Sequence, residues 1–382
     1  MIQREYYLSE IEKLFQTHRI VVLIGPRQVG KTTLANQVRK KYQSSLMFDL
    51  ENPEDFRSLS TPLTTLTPLS GLIIIDEIQR QPDLFLALRY IHDEFPDKKF
   101  LLLGSTSREL IQHSSESLAG RLAYVELPPF NLLEVPDFYK LWMRGGFPKS
   151  YMAETDNDSF IWRTHYIRSF LEQDIPAMGI GVNTSMLRQF WDMLSHYHGQ
   201  IFNSSAIGQS LGISHTSAKN YLDILSQTFM IRLLKPWHAN TKKRQLKSPK
   251  IYWRDSGILH NFLHTTTYND LLKNPKIGAS FEGFALEQVI RQSRVDEYDC
   301  YFWGAHSYGE IDLLLHHKDH LYGFEFKLND APTFNKNWRS IMTEIELKSL
   351  SIIYPGEKHY AFEENINACG IQNKNLIEIC LN

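Results

Sequence analysis

Only three cysteines occur among the 382 residues, Cys300, Cys369 and Cys380, far apart and odd in number. They make neither a disulfide framework nor a zinc cluster, and such sparse use of thiols fits a reducing compartment. Apolar runs are short: Leu72-Ile73-Ile74-Ile75 falls far below the roughly 20 residues needed to cross a bilayer. The opening stretch Met1 to Tyr7 has no apolar core of the signal-peptide kind. An excess of one charge is missing too. With 41 basic and 43 acidic side chains the formal net charge is −2, which excludes a uniformly basic coat and leaves room for a local basic patch. There is no internal repeat and no low-complexity tract. What is present, 42% apolar and 22% charged residues, suffices for sizeable cores. These features predict a soluble, cytoplasmic protein of about two or three domains without a membrane partner.

Residues 5–18 read as an amphipathic helix. Five short apolar runs follow, at 20–24, 46–50, 72–75, 100–104 and 122–127, separated by longer, partly helical segments. Continuous apolar runs alternating with helices predict an α/β domain over 1–150, a parallel sheet with helices on both faces. Residues 151–275 form a mostly helical middle segment, with eight basic side chains and one acid between 231 and 255. Residues 276–382 hold a helix (280–292), strand-like runs at 299–303, 310–315 and 320–327, a helix at 333–348 and a strand at 350–354.

Gly25-Pro26-Arg27-Gln28-Val29-Gly30-Lys31-Thr32 fits the G-x-x-x-x-G-K-[ST] pattern at every defined position. It follows the first apolar run and leads into a helix at Thr32-Thr33-Leu34, as the motif demands. Its glycines let backbone N–H groups converge on phosphate oxygens, and the helix start adds a positive dipole end. Lys31 is expected to reach the β- and γ-phosphates of ATP, and Thr32 to bind Mg²⁺. Gly25 to Thr33 together form the expected nucleotide contact. The run Leu72–Ile75 ends in Asp76 and Glu77, at the strand end where parallel sheets bind ligands. Asp76 is the expected Mg²⁺ partner, and Glu77 the residue that orients or deprotonates water. Ser105, after the run 100–104, is a candidate for the γ-phosphate or the water. Arg121 is a candidate for stabilising transferred-phosphoryl charge, in cis or across a subunit boundary, which would imply a homo-oligomer.

These motifs, with Gln79-Arg80-Gln81-Pro82 and Gly145-Gly146-Phe147-Pro148, stand in the order found in the AAA-type ATPases of bacteria and archaea that carry a C-terminal domain of unknown function. The chain resembles that family over essentially its whole length, since Lys247–Tyr252 and Asp255-Ser256-Gly257 also match. The resemblance implies that Lys31 and Thr32 are Walker A, Asp76 and Glu77 Walker B, Ser105 sensor 1 and Arg121 the arginine finger. One departure is Glu172-Gln173-Asp174, where the family leads to an arginine before the aspartate.

Residues 203–226 have helix-turn-helix form: Gly212 permits the turn and Ser214 can cap the second helix. A basic stretch follows, and Lys242, Lys243 and Arg244 are the candidate nucleic-acid contacts, as the wing of a winged helix. A winged helix also serves as an ATPase lid or a protein contact.

In the last segment Asp312 opens an apolar run, and Glu325 and Lys327 lie two apart on the next, hence on one face. Paired strands would bring Asp312 to Glu325, where the two could share a second divalent cation, with Glu282 supplying another carboxylate. This resembles the restriction-endonuclease-like (PD-(D/E)XK) nucleases, whose D…E-x-K signature falls on Asp312, Glu325 and Lys327, with Glu282 as the helical acid. Two readings remain open. Either an ATPase controls a DNA- or other nucleic-acid-directed, cutting module, or an ATP-gated switch binds nucleic acid or protein and cuts nothing.

Overall fold

The computed structural model describes residues 2–105, 118, 120–178, 180–238, 246–305 and 309–381. In the first part of the chain, β-branched and leucine-rich runs extend into five strands: β1 (Ile20–Ile24), β2 (Ser45–Asp49), β3 (Leu72–Asp76), β4 (Lys99–Gly104) and β5 (Leu122–Glu126). All pair in parallel, in the order β2-β3-β4-β1-β5. Successive side chains of a strand point to opposite faces, and here they enter two separate cores. Val21 and Leu23 join Ile11, Leu34 and Val38 from the helices Glu5–Leu14 and Lys31–Arg39. Val22 and Ile24 join Leu84, Leu88 and Ile91 from the helix Leu84–Glu94 on the other face. Helices therefore cover both faces, which is why the runs are apolar without alternation. Residues 173–181 and 223–230 belong to this same unit.

The second unit takes in residues 130–172, 182–222 and 231–382. Thr155 starts its helix Asp156–Ser169 with a reciprocal capping box to Asp158. The expected helix pair is present as Ser204–Leu211 and His215–Gln227; Gly212 turns the chain with a φ of 67°, and the Ser214 hydroxyl accepts from Ser217 N at 3.0 Å. Strands β6 (Gln200–Ile201), β7 (Ile231–Pro236) and β8 (Lys250–Trp253) pair antiparallel in the order β6-β8-β7.

Next come the helix Ile277–Ser293, then β9 (Cys300–Ala305), β10 (Gly309–His317) and β11 (His320–Phe326), the helix Asn337–Glu344 and β12 (Leu347–Tyr354). β9, β10 and β11 pair antiparallel, whereas β11 and β12 are parallel. The strands β13 (His359–Glu363) and β14 (Ile366–Gly370) complete a mixed sheet that sequence periodicity did not foreshadow at this edge. Because β7 also pairs in parallel with β9, one nine-stranded sheet, β13-β14-β12-β11-β10-β9-β7-β8-β6, joins strands from before and after the segment boundary expected at 275–276.

A buried ion pair pins the helix Ile277–Ser293 to this sheet. The Arg232 guanidinium on β7 grips the Glu287 carboxylate through two N–H bonds, one of 3.2 Å, and Arg291 Nε adds a third at 3.2 Å. Burial alone would raise the Glu287 pKa, but the facing arginines overcome it and hold the group at about 2. Folding therefore gains from this carboxylate above its unfolded pKa near 4.5, and the gain is lost as pH falls toward 2. Glu287→Ala removes the carboxylate that Arg232 and Arg291 share, leaving Arg232 with the more distant Glu297 at 3.8 Å, and should cost ~3–5 kcal/mol. Denaturant titration at pH 7 checks this; a loss below about 1 kcal/mol would show the pair to be incidental.

Candidate functional site

Three strand ends meet at the carboxyl edge of the parallel sheet. β1 runs into Gly25, β3 ends at Asp76, and β4 leads to Ser105. A side chain at Gly25 is excluded: its Cβ would stand 2.3 Å from the Leu127 carbonyl oxygen, so the loop can pass there only as glycine. Gln28 and Glu77 both adopt left-handed backbone, with φ of 60° and 55°, conformations that cost energy for non-glycine residues and gather at sites where geometry matters. Lys31 is buried, and its ammonium donates to the carbonyls of Gly25 (2.9 Å) and Pro26 (3.0 Å). Burial lowers its pKa, against the attraction of Glu77 and Asp76.

The Thr32 hydroxyl donates to Asp76 Oδ2 at 2.6 Å, and Asp76 Oδ1 accepts from Glu77 N at 2.9 Å. Burial raises the Asp76 pKa, with the Thr32 bond opposing it. This pair of hard oxygen ligands fits Mg²⁺, which keeps most of its waters and takes only one or two protein groups beside phosphate oxygens. Ser105 Oγ lies 3.2 Å from Glu77 Oε2, and the Gln79 amide donates to both Glu77 and Ser105, the latter at 3.0 Å. Lys31, Thr32, Asp76, Glu77 and Ser105 thus form one cluster.

Arg27 turns from the loop to two carboxylates, Asp174 and Glu51, the second at 2.7 Å. Asp174 belongs to the short sequence that departs from the family pattern; its acid was visible, its partner 147 residues away was not. Arg121 does not join the cluster. It precedes β5, whose Leu122 pairs with Ile20 at the far end of β1 from the loop, and it grips Asp93 through bonds of 2.9 and 3.1 Å. Arg121 therefore stands apart from its own chain's phosphate loop. Lys242, Lys243 and Arg244 lie outside the described residues.

In the second unit, β10 and β11 bring the expected acids together. The register Leu313↔Phe324 sets Asp312 beside Glu325, Asp312 Oδ2 accepts from Phe326 N at 3.1 Å, and Lys327 Nζ donates to Glu325 Oε2 at 2.7 Å. A register shift between Ile311 and Leu314 against β9 falls at Asp312 itself, the kind of irregularity that re-aims a side chain. From the helix Ile277–Ser293, Glu282 accepts from the Tyr252 hydroxyl at 2.6 Å. Burial, followed by the Asp312 charge, pushes Glu325 up to about 8 and Glu282 up to about 7.

The carboxylates do not, however, form the metal centre expected of them. Among the described residues no group of three or more His, Cys, Asp or Glu side chains could hold a metal ion. Lys250, one of the eight basic residues of 231–255 and part of the family stretch Lys247–Tyr252, stands among these acids. It is buried on β8, its Nζ bonds to Glu310, and Asp312 and Glu282 stand 3.6 and 3.9 Å away. Burial opposes its charge, but Asp312, Glu282 and Glu310 raise its pKa all the same. Glu325 is taken by Lys327. The donor set suits ammonium groups and does not fit a divalent ion shared by Glu282, Asp312 and Glu325.

Residues 17–135 match the family described as an AAA domain, 135–269 a domain of unknown function (DUF8612), and 277–373 a second domain of unknown function (DUF4143). Two mycobacterial proteins, "Uncharacterized protein Rv2008c" of Mycobacterium tuberculosis and "Uncharacterized protein Mb2031c" of Mycobacterium bovis, are each 40% identical over 371 residues, 96% of this chain and 83% of theirs. Among solved structures, the Walker-type ATPase PABY2304 of Pyrococcus abyssi is 14% identical with a TM-score of 0.46, over 69% of this chain and 96% of its own. Among the described residues no helix is long and apolar enough to cross a membrane. The chain belongs to one family with the two mycobacterial proteins, and its N-terminal part is an AAA-type P-loop domain.

Proposed function

We propose that the chain is an Mg²⁺-dependent ATP-binding and hydrolysing protein whose nucleotide state controls a nucleic-acid-directed module in the rest of the chain. The observation that carries this is the convergence of Lys31, Thr32, Asp76, Glu77 and Ser105 at one sheet edge. Backbone N–H groups of the loop from Arg27 to Thr33 cradle the phosphates. Lys31 exchanges its bonds to Gly25 and Pro26 for the β- and γ-phosphates, a favourable trade for a buried ammonium. Thr32 and Asp76 hold Mg²⁺, which supplies charge stabilisation to the transferred phosphoryl group. Glu77, fixed by Gln79 and Ser105, orients the attacking water. Arg121 is left for the phosphate site of a neighbouring copy, so a homo-oligomer belongs to this reading.

The division into an ATPase domain at 1–150, a lid and winged-helix segment at 151–275 and a restriction-endonuclease-like domain at 276–382 is part of the same proposal. Three observations support it: the helix pair Ser204–Leu211 and His215–Gln227, the β6-β8-β7 ribbon, and the order helix–β9–β10–β11–helix–β12 around Asp312 and Glu325. A second reading, a switch that binds nucleic acid without cutting it, is favoured by one observation, the Lys250 ammonium among the carboxylates.

Lys31→Ala should abolish tight ATP binding and turnover while leaving the fold intact; turnover that persists would show the phosphate loop to be misassigned. Replacing Lys242, Lys243 and Arg244 together by Ala should weaken nucleic-acid binding and flatten its salt dependence by a slope of about two to three. An unchanged slope would remove the wing from the binding surface.

A further inference from the structure

The C-terminal carboxylate cluster already holds its cations, and both are side chains. Four acids meet there: Glu282 from the helix Ile277–Ser293, Glu310 and Asp312 from β10, and Glu325 from β11. Lys250 Nζ bonds to Glu310 and stands 3.6 Å from Asp312 and 3.9 Å from Glu282, while Lys327 Nζ bonds to Glu325 at 2.7 Å. Each acid therefore faces an ammonium within salt-bridge reach.

The two lysines are not equivalent. The Lys327 side chain is 45% exposed, whereas that of Lys250 is 3% exposed. Lys250 is also seated from the side, since its ammonium lies 3.5 Å from the hydroxyl of Tyr252, which itself donates to Glu282. A long flexible lysine gains nothing by being buried unless its charge is matched, and here three carboxylates match it.

We propose that Lys250 is the resident cation of this cluster, occupying with its ammonium the ground on which a divalent ion would have to stand. A divalent ion requires oxygen ligands that converge to about 2.1 Å from one point, with no positive charge inside that shell. A buried ammonium a few ångströms from the same oxygens repels a second cation strongly, because little water is present to screen it. Lys250 lies on β8, in the part of the chain that matches one domain of unknown function, while the four acids lie in the part that matches the other. The cluster is thus completed by a residue from outside the helix–β9–β10–β11 unit, and the unit by itself would lack the cation that faces Glu310, Asp312 and Glu282. This inference does not depend on the ATPase reading and stands whether or not nucleic acid is the partner.

The test uses the full chain without nucleotide and Mn²⁺ as the probe, followed by paramagnetic resonance of the free ion and by thermal unfolding with and without Mn²⁺. Wild-type protein should show no Mn²⁺ binding that disappears on Asp312→Asn. Lys250→Met should gain one site per chain, about tenfold or more tighter than anything in the wild type, with an upward shift of Tm on adding Mn²⁺. Lys250→Arg, which keeps the charge, should gain none, and Lys250→Met with Asp312→Asn should lose the gain. Two results would overturn the proposal: a wild-type Mn²⁺ site abolished by Asp312→Asn, or a folded Lys250→Met protein whose Mn²⁺ affinity and Tm do not move. If Lys250→Met fails to fold, the wild-type comparison with Asp312→Asn still decides.

Discussion

A parallel sheet covered by helices on both faces has nowhere to put polar groups except the ends of its strands, and the AAA-type domain is organised around that constraint. Every residue of β1 and β3 is buried, including Asp76 at the last position. The chain can leave those strands only at the edges, and at the carboxyl edge it leaves through Gly25, through Asp76-Glu77 and through Gly104-Ser105. The order β3-β4-β1 makes these exits neighbours. Lys31, Thr32, Asp76, Glu77 and Ser105 therefore meet because the cores on either face leave the strands no other arrangement. The hydrogen bond from Thr32 to Asp76 then joins the helix Lys31–Arg39 to the third strand across that edge.

The second unit solves the opposite problem, since it buries charge inside a sheet instead of sending it to an edge. Arg232 and Glu287 do so as a satisfied pair between β7 and a helix. Lys250 does so against Glu310 and Asp312 on β10 and Glu282 on the helix Ile277–Ser293. In both cases the basic partner comes from the hairpin β7–β8 and the acidic one from the segment after residue 276. The parallel pairing of β7 with β9 joins the two segments in one sheet. Removing one member of such a buried pair is costly, because the other has no water to turn to. The middle segment and the C-terminal segment are accordingly tied by charge as well as by hydrogen bonds, even though separate family matches cover them.

The phosphate-loop edge was legible in the sequence because its information is local. Eight consecutive residues fix the loop, and the acids and Ser105 each follow an apolar run directly. The pairing of Asp312 with Glu325 was legible for a similar reason, a hairpin whose turn and alternation can be counted. Asp174 and Lys250 were not legible, since their partners lie 147 and 60 residues away and no periodicity records which strands become neighbours. A lysine in a basic stretch looks like solvated surface, yet Lys250 is buried on β8, beside acids from a distant part of the chain. β13 escaped notice because it is an exposed edge strand, whose mixed polar residues carry no burial pattern. Arg121 illustrates the limit of motif order alone: it stands at the expected place in the chain and at the wrong end of its own sheet to reach its own loop.

If nucleotide at the phosphate loop controls nucleic-acid binding elsewhere in the chain, as proposed, the two must be coupled in affinity. This coupling is tested most directly by measuring the affinity of the full chain for a labelled oligonucleotide at one fixed salt concentration, first with ADP and then with a non-hydrolysable ATP analogue, both with Mg²⁺. The account predicts that the two dissociation constants differ by about fivefold or more, the lower end of ordinary coupling between sites. Tight binding with the same constant in both states would contradict it.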